Sequence, residues 1–333
     1  MAQIDPDAAR ATGRPPPQRF RLRVDLDDAG EGRAMIIVSF LANVLVAIAK
    51  TGAALITRSS SLRTEAVHSW VDVGNECFVV VAARKSLRPA DEVRPFGYGR
   101  ESYVWSLFAS IGTLMFGAVI GVWQGVQELG AHGAGAHYVV GYVVIGVSFS
   151  LEGASFVQTA TQLRKGADEL GRDLFEHALA TSNATLRAIF TEDFTALLAL
   201  VVAALGMALH QLTGDAIYDC VGSIVIGLLM GVAAVMLIRR NVELLAGKPL
   251  EPMLSARLVS ALGAEPEVEC VAFAYGEVIG PERVMIIASV RLAGDHTQAE
   301  LAMTLRALEH RLMSYRYVGL ALLTLATPGE PLS

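Results

Sequence analysis

Apolar residues run through this chain in blocks of about twenty, the length a helix needs to cross roughly 30 Å of hydrocarbon. Polar residues gather between the blocks. Six can be marked: Ala34 to Ile56, Arg63 to Ala83, Tyr103 to Val126, Tyr138 to Gln158, Ile189 to His210 and Ala216 to Ile238. The connecting segments alternate in character. The arm before the first block is basic, as are the loop from Arg84 to Arg100, the polar stretch with Arg164, Lys165 and Arg172, and the segment opening at Arg239 and Arg240. The linker Glu128 to His137 and the turn Gln211 to Asp219 carry no Lys or Arg. Lys and Arg mark the cytoplasmic side of a membrane protein, so six crossings with both termini in the cytoplasm are expected.

From about Leu250 the pattern shortens. Pro252 to Leu262 reads as a short helix, Val268 to Val278 and Arg283 to Leu292 as strands turned at Gly280-Pro281, and Val318 to Ala326 as a last strand. Between them Gln298 to Tyr315 is amphipathic, with Leu301, Leu305, Leu308 and Leu312 on one stripe. The order αββαβ predicts a small sheet covered on one face by helices. At roughly eighty residues such a unit is near the lower limit for a lone core, so pairing with a second copy would help it.

Composition agrees with a membrane protein. Of 333 residues 53% are hydrophobic and only 18% charged, against about 45–50% and 25% in soluble chains. The expected organisation is a disordered cytoplasmic arm over 1–33, a transmembrane domain over 34–240 and a cytoplasmic domain over 250–327. The net charge of −6 says little by itself, and no nucleic-acid partner is expected. Cys77, Cys220 and Cys270 have no metal-knuckle spacing, so packing is their expected role.

The chemistry concentrates in the second block. Leu62 to Asn75 reads LRTEAVHSWVDVGN, and a carboxylate inside a membrane helix costs about 2.5–3.5 kcal/mol in insertion assays. His68 and Asp72 are four residues apart, so on a helix they project from one face. An imidazole and a carboxylate so placed make half a site for a divalent metal of the zinc type. Glu65 is read as interfacial or as a partner of Arg63. Glu152, within the fourth block, is read as a proton carrier or a packing acid. Asn43 and Lys50 are given packing roles, Lys50 by snorkelling to the interface. Asp219 is given the structural role of an acid at a helix N-terminus. His132 and His137 flank the glycine-rich outer linker.

Ser60-Ser61-Leu62, Glu65-Ala66, His68-Ser69, Asp72 and Asn75, followed by Arg94-Pro95-Phe96-Gly97-Tyr98-Gly99-Arg100, resemble the cation diffusion facilitator family. Glu192-Asp193 with Ala196-Leu197, and Asp219 with Gly222-Ser223-Ile224 and Gly227, are similar to the branch that includes the mammalian zinc transporter nine. The resemblance implies an α-helical polytopic membrane protein with six transmembrane helices and a C-terminal α+β, ferredoxin-like cytoplasmic domain, working as a homodimer in the lipid bilayer. It implies exchange of a divalent cation, most often Zn²⁺, for protons. His68 and Asp72 on span two and Asp193 on span five then correspond to the family's transport ligands. Ile189 stands one turn before Asp193, where many members place a fourth ligand. Glu192, Asn75 and Glu152 are the candidates to replace it, together with water.

The function expected is therefore efflux of Zn²⁺ by proton-coupled alternating access, in the inner (plasma) membrane of a bacterium, with no catalytic residue and no resident cofactor. Mn²⁺, Fe²⁺, Co²⁺ or Ni²⁺ would suit the same mixed N/O ligands. Two other classes use the same residues. A membrane metalloenzyme would need a substrate pocket and a general base, and a non-transporting scaffold would bind a partner through its C-terminal domain.

Overall fold

A computed structural model describes residues 29–129, 137–315 and 317–327 of the protein. Most of the expected arm, and His132, lie outside the described residues; Ala29 to Arg33 are helical. Helix α1 (Ala29–Thr57) is followed after two residues by α2 (Ser60–Ser86). The third expected span is one continuous helix in three parts: α3 (Glu101–Gly112), a π-helical turn (Thr113–Ala118) and α4 (Val119–Glu128). Then come α5 (Tyr138–Leu170), α6 (Leu174–Ala180), α7 (Ala184–Thr213) and α8 (Ile217–Ala246).

Four of these helices are long and apolar enough to cross a membrane: Glu101–Glu128, Tyr138–Asp168, Ala184–Thr213 and Ile217–Ala246. In α1 the apolar helix runs over Asn43–Thr57. The physical reason α2 falls short is its charge rather than its length. Its 27 residues include Arg63, Glu65, Asp72, Glu76, Arg84 and Lys85, so it is tolerable in a membrane only where those groups face protein. Glu65 and His68 are indeed almost fully buried.

Close packing of α4 on α8 sets the shape of this region. Gly117, Gly121 and Gly125 recur every fourth residue and so line one face. Small residues of this kind let membrane helices approach closely. A Cβ added to Gly121 would sit 3.2 Å from Gly227 Cα, and one added to Gly125 would sit 2.9 Å from the Cys220 carbonyl oxygen. At Gly227 the clash would be with backbone, at 2.7 Å from Val122 N and 3.0 Å from Ala118 O. Gly227→Leu should therefore force the two helices apart and cost at least about 1–3 kcal/mol. A thermal unfolding scan of the detergent-solubilised variant would show the lowered midpoint.

The polar stretch between α5 and α7 is less irregular than its composition suggests. It folds into α6, whose Phe175 packs edge-on against Phe190 and Phe194 of α7, each with ring centroids 5.5 Å apart. α7 starts where the Asn183 side chain accepts a hydrogen bond from Leu186 N, 3.2 Å away. The loop after α2 is a knitted turn. Asp91 accepts from Val93 N, Arg94 N and Tyr98 Oη, and the Tyr98 hydroxyl foremost holds its carboxyl below the usual range. Arg94 pairs with Glu101 at 2.8 Å and Arg100 with Glu277.

The C-terminal segment contains α9 (Pro252–Gly263), β1 (Val268–Gly280), β2 (Arg283–Leu292), α10 (Gln298–Met313) and β3 (Val318–Leu325). The sheet order is β1-β2-β3, with β1 antiparallel and β3 parallel to β2. The parallel pair requires a crossover, and α10 supplies it. A reciprocal cap between Thr297 and Glu300 starts that helix. Leu262 of α9 and Leu308 and Leu312 of α10 share a core with Val271, Ile286, Ala288, Val290 and Leu323 of the sheet. Gly99 meets this part backbone to backbone: a Cβ there would lie 2.7 Å from the Ile279 carbonyl oxygen.

Candidate metal site

Helix α2 carries the site because its N-terminus is fastened. Ser59 caps it, accepting from Leu62 N at 3.1 Å. The buried carboxylate of Asp219, at the start of α8, then takes up the first turn. It accepts from Ser59 Oγ at 2.9 Å, Ser60 N at 2.5 Å, Ser61 N at 3.4 Å and the Ser61 hydroxyl. One turn on, Thr64 and Ser223 share a hydrogen bond of 2.5 Å. Asp219 is thus structural, as expected, but it caps α2 rather than its own helix.

Down the inner face of α2 the side chains form a chain of alternating character. His68 Nδ1 lies 3.6 Å from Glu65 Oε1, and His68 Nε2 lies 3.6 Å from Asp72 Oδ2. Both contacts are beyond hydrogen-bonding distance. Glu65 Oε1, His68 Nδ1 and Asp72 Oδ1 are buried without a hydrogen-bond partner. The spacing of four has brought His68 and Asp72 together as the sequence predicted.

The two acids of α7 are close by but differently engaged. Asp193 accepts a hydrogen bond from Ser155 of α5 at 2.7 Å. Glu192 accepts from Asn75 of α2 at 2.9 Å, and Asn75 also donates to Thr113 at 2.9 Å. Thr113 opens the π-helical turn of the third span; turns of this kind recur at functional sites. Asn75 thereby joins α2 to α7 beside these acids. Among the described residues, no three His, Cys, Asp or Glu groups are placed to hold one ion. His68 and Asp72 lie side by side on α2, while Glu192 and Asp193 are engaged in hydrogen bonds of their own. Ile189 is half-buried one turn earlier on α7.

Three sequence assignments change here. Lys50 does not snorkel: it is 1% exposed, and its Nζ lies 2.9 Å from Glu65 Oε2 and 2.8 Å from Glu152 Oε1. The carboxylates of α2 and α5 draw the ammonium inward, away from the helix end. Glu65 is not interfacial, and Arg63 pairs instead with Glu128 at 2.5 Å. Glu152 does have a basic neighbour, contributed by a helix 102 positions earlier. Ser155 and Lys50 are the two residues whose role the sequence reading missed. The available signal for Lys50 was that it and Glu152, on two different spans, carry opposite charges within apolar blocks.

Residues 36–246 match the family model described as the cation efflux transmembrane domain. The chain is 31% identical over 272 residues to metal tolerance protein C4 of Arabidopsis thaliana, covering 82% of this chain and 59% of that protein. It is 28% identical over 265 residues to the proton-coupled zinc antiporter SLC30A9, mitochondrial, of Homo sapiens, covering 80% of this chain and 46% of the relative. The mouse protein of the same description is equally similar, with 47% of its length covered. The chain thus spans about half the length of these relatives. With the cation efflux transmembrane domain matched over residues 36–246, well over half of its length, the chain belongs to the cation diffusion facilitator family.

Proposed function

We propose that this protein moves a divalent cation, Zn²⁺ foremost, across a membrane in exchange for protons. The observation that carries the reading is the facing of two helices inside the bundle. His68 and Asp72 project together from α2, and Asn75, one turn further along the same helix, donates to Glu192 of α7 at 2.9 Å, next to Asp193. His68, Asp72 and Asp193 bind the ion, and Glu192 supplies the fourth ligand in place of Ile189. Ser155 and Asn75 hold the two α7 acids by one hydrogen bond each, so modest side-chain rotations bring them to the ion. Mixed nitrogen and oxygen ligation suits zinc, and Mn²⁺, Fe²⁺, Co²⁺ and Ni²⁺ after it. The relatives described as zinc antiporters favour the same choice.

Metal ligands must be deprotonated to bind. Protons arriving from the opposite side compete for His68 and the carboxylates and expel the ion, while rocking of the helices alternates access to the site. The chain works as a secondary transporter rather than an enzyme. α1 and α2 complete six crossings with the four apolar helices, the basic loops and both termini face the cytoplasm, and 250–327 forms a ferredoxin-like domain that pairs two copies. The arrangement fits a bacterial inner membrane, although the antiporter relatives are described as mitochondrial.

The test is zinc uptake into proteoliposomes. An acidic interior should accelerate uptake several-fold over vesicles at uniform pH, and a protonophore should remove the gain. Zinc flux that ignores the pH gradient would contradict proton coupling. Absence of flux for every divalent ion would contradict transport itself.

A further inference from the structure

Lys50 is the one Lys or Arg among the described residues that touches two carboxylates within the bundle, and its ammonium ties α1 to α2 and α5. Glu65 presents one oxygen to Lys50 and turns the other toward His68 Nδ1 at 3.6 Å. Glu152 gives one oxygen to Lys50, while its second is buried with no hydrogen-bond partner. Apart from Glu76, which accepts from Asn43 at 3.0 Å, the site region thus holds five acids, Glu65, Asp72, Glu152, Glu192 and Asp193, of which Lys50 engages two. Carboxylates are good ligands for any of the candidate cations. A site free to recruit all five would hold its ion too tightly to let it go.

We propose that Lys50 is an affinity-setting residue: a resident cation that keeps Glu65 and Glu152 out of the coordination sphere and so holds metal binding weak enough for release. The proposal rests on the transport reading above and adds to it a positioning residue from α1. Lys50 does not touch the metal. It acts through the carboxylates it occupies, and through the like charge it places one side chain away from the site. In this geometry the oxygen that Glu65 does not give to Lys50 stands 3.6 Å from His68 Nδ1, placed to close on the ring when the imidazole binds metal. That is the part that outer carboxylates play for metal-bound histidines generally.

Removing the ammonium should separate binding from turnover. With the full chain in detergent, zinc affinity is measured by competition with a chelating dye; in proteoliposomes, initial zinc uptake is measured against zinc concentration. Lys50→Met should tighten zinc binding about tenfold or more, lower the half-saturating zinc concentration, and lower the maximal uptake rate. The double variant Lys50→Met with Glu152→Gln removes one of the released carboxylates, and should bring affinity and maximal rate back toward wild type. A purely structural Lys50 would instead leave Lys50→Met with wild-type or weaker zinc affinity, and that result overturns the proposal.

A buried carboxylate stripped of its partner is strongly destabilising, so a lower yield of Lys50→Met is expected. Glu152→Gln alone therefore gives an independent reading. If Lys50 keeps Glu152 away from the metal, this variant should lose less than tenfold in zinc affinity, through charge alone. A larger loss would make Glu152 a ligand and overturn the proposal. Wild-type protein assayed in parallel separates the two levels. Wild type that neither binds nor carries zinc defeats the transport reading itself, whereas normal wild type beside an untightened Lys50→Met defeats only the role of Lys50.

Discussion

Asp72→Asn should abolish metal transport, lowering flux at least a hundredfold, while leaving the folded protein intact. The two halves of that expectation have separate grounds. Asp72 is the most open carboxylate of the site on α2, its side chain 28% exposed. It makes no hydrogen bond: one oxygen is buried without a partner and the other stands 3.6 Å from His68 Nε2. Nothing in the packing of α2 depends on it, and its amide replacement is the same size. What the substitution removes is the anionic ligand that the proposed function places beside the imidazole. An amide is a poor ligand for a zinc-type ion and cannot contribute charge against it. Zinc flux in proteoliposomes, normalised to protein recovered as a single species by gel filtration, checks both halves together. An unfolded variant, or a folded one with flux near wild type, would contradict the account.

Asp219→Ala should do the reverse and fail by unfolding. This carboxylate is 2% exposed and receives two backbone N–H groups and two hydroxyls from the first turn of α2. The N–H groups at a helix start have no partner within the helix. Losing a charged acceptor leaves them buried and unsatisfied, at a cost of about 1–3 kcal/mol for each group. A total near 3 kcal/mol would lower the melting midpoint by about 6–12 °C for a domain of this size. Because Asp219 fixes the register of α2 against α8, the proposed ligands His68 and Asp72, two and three turns further along, should also bind zinc less well at temperatures where the variant remains folded. A scanning calorimetry trace of the variant in detergent measures the first effect directly. A midpoint unchanged within 2 °C would show that the cap is dispensable.

The contrast between these two acids marks what a sequence can and cannot disclose. His68 and Asp72 were legible because their relation is local: four residues on a helix share a face whatever surrounds them. The four long apolar helices were legible for the same reason, and the order αββαβ emerged with strand boundaries displaced by at most two residues. What stayed hidden depends on residues far apart in the chain. Lys50 reads alone as a snorkelling side chain, and only the packing of α1 against α2 and α5 turns it into the partner of Glu65 and Glu152. Ser155 holds Asp193 from 38 positions away. Asp219 looked like an acid at the start of its own helix, yet its oxygens cap another helix 159 residues earlier.

Local structure was also missed where it has no compositional signature. The π-helical turn at Thr113–Ala118 inserts in a sequence as apolar as its flanks. Helix α6 forms in a polar stretch because Phe175 finds Phe190 and Phe194 on the neighbouring helix. The second block, Arg63 to Ala83, was taken for a membrane span by its apolar length, although the charges of α2 leave it short of the apolarity that the four other helices reach. Such a segment can enter a bilayer only as part of a bundle that shields its acids, which ties its placement to the tertiary fold.

The central claim is that α2 and α7 contribute to a single site for the transported ion. Anomalous diffraction at the zinc edge, from crystals of the full chain soaked in zinc, tests it most directly. The account predicts one dominant peak inside the bundle, at about 2.0–2.2 Å from a ring nitrogen of His68 and from carboxylate oxygens of Asp72 and Asp193, with Glu65 and Glu152 still on Lys50. A dominant peak that touches neither His68 nor Asp72, or one held by α2 with no residue of α7, would contradict it.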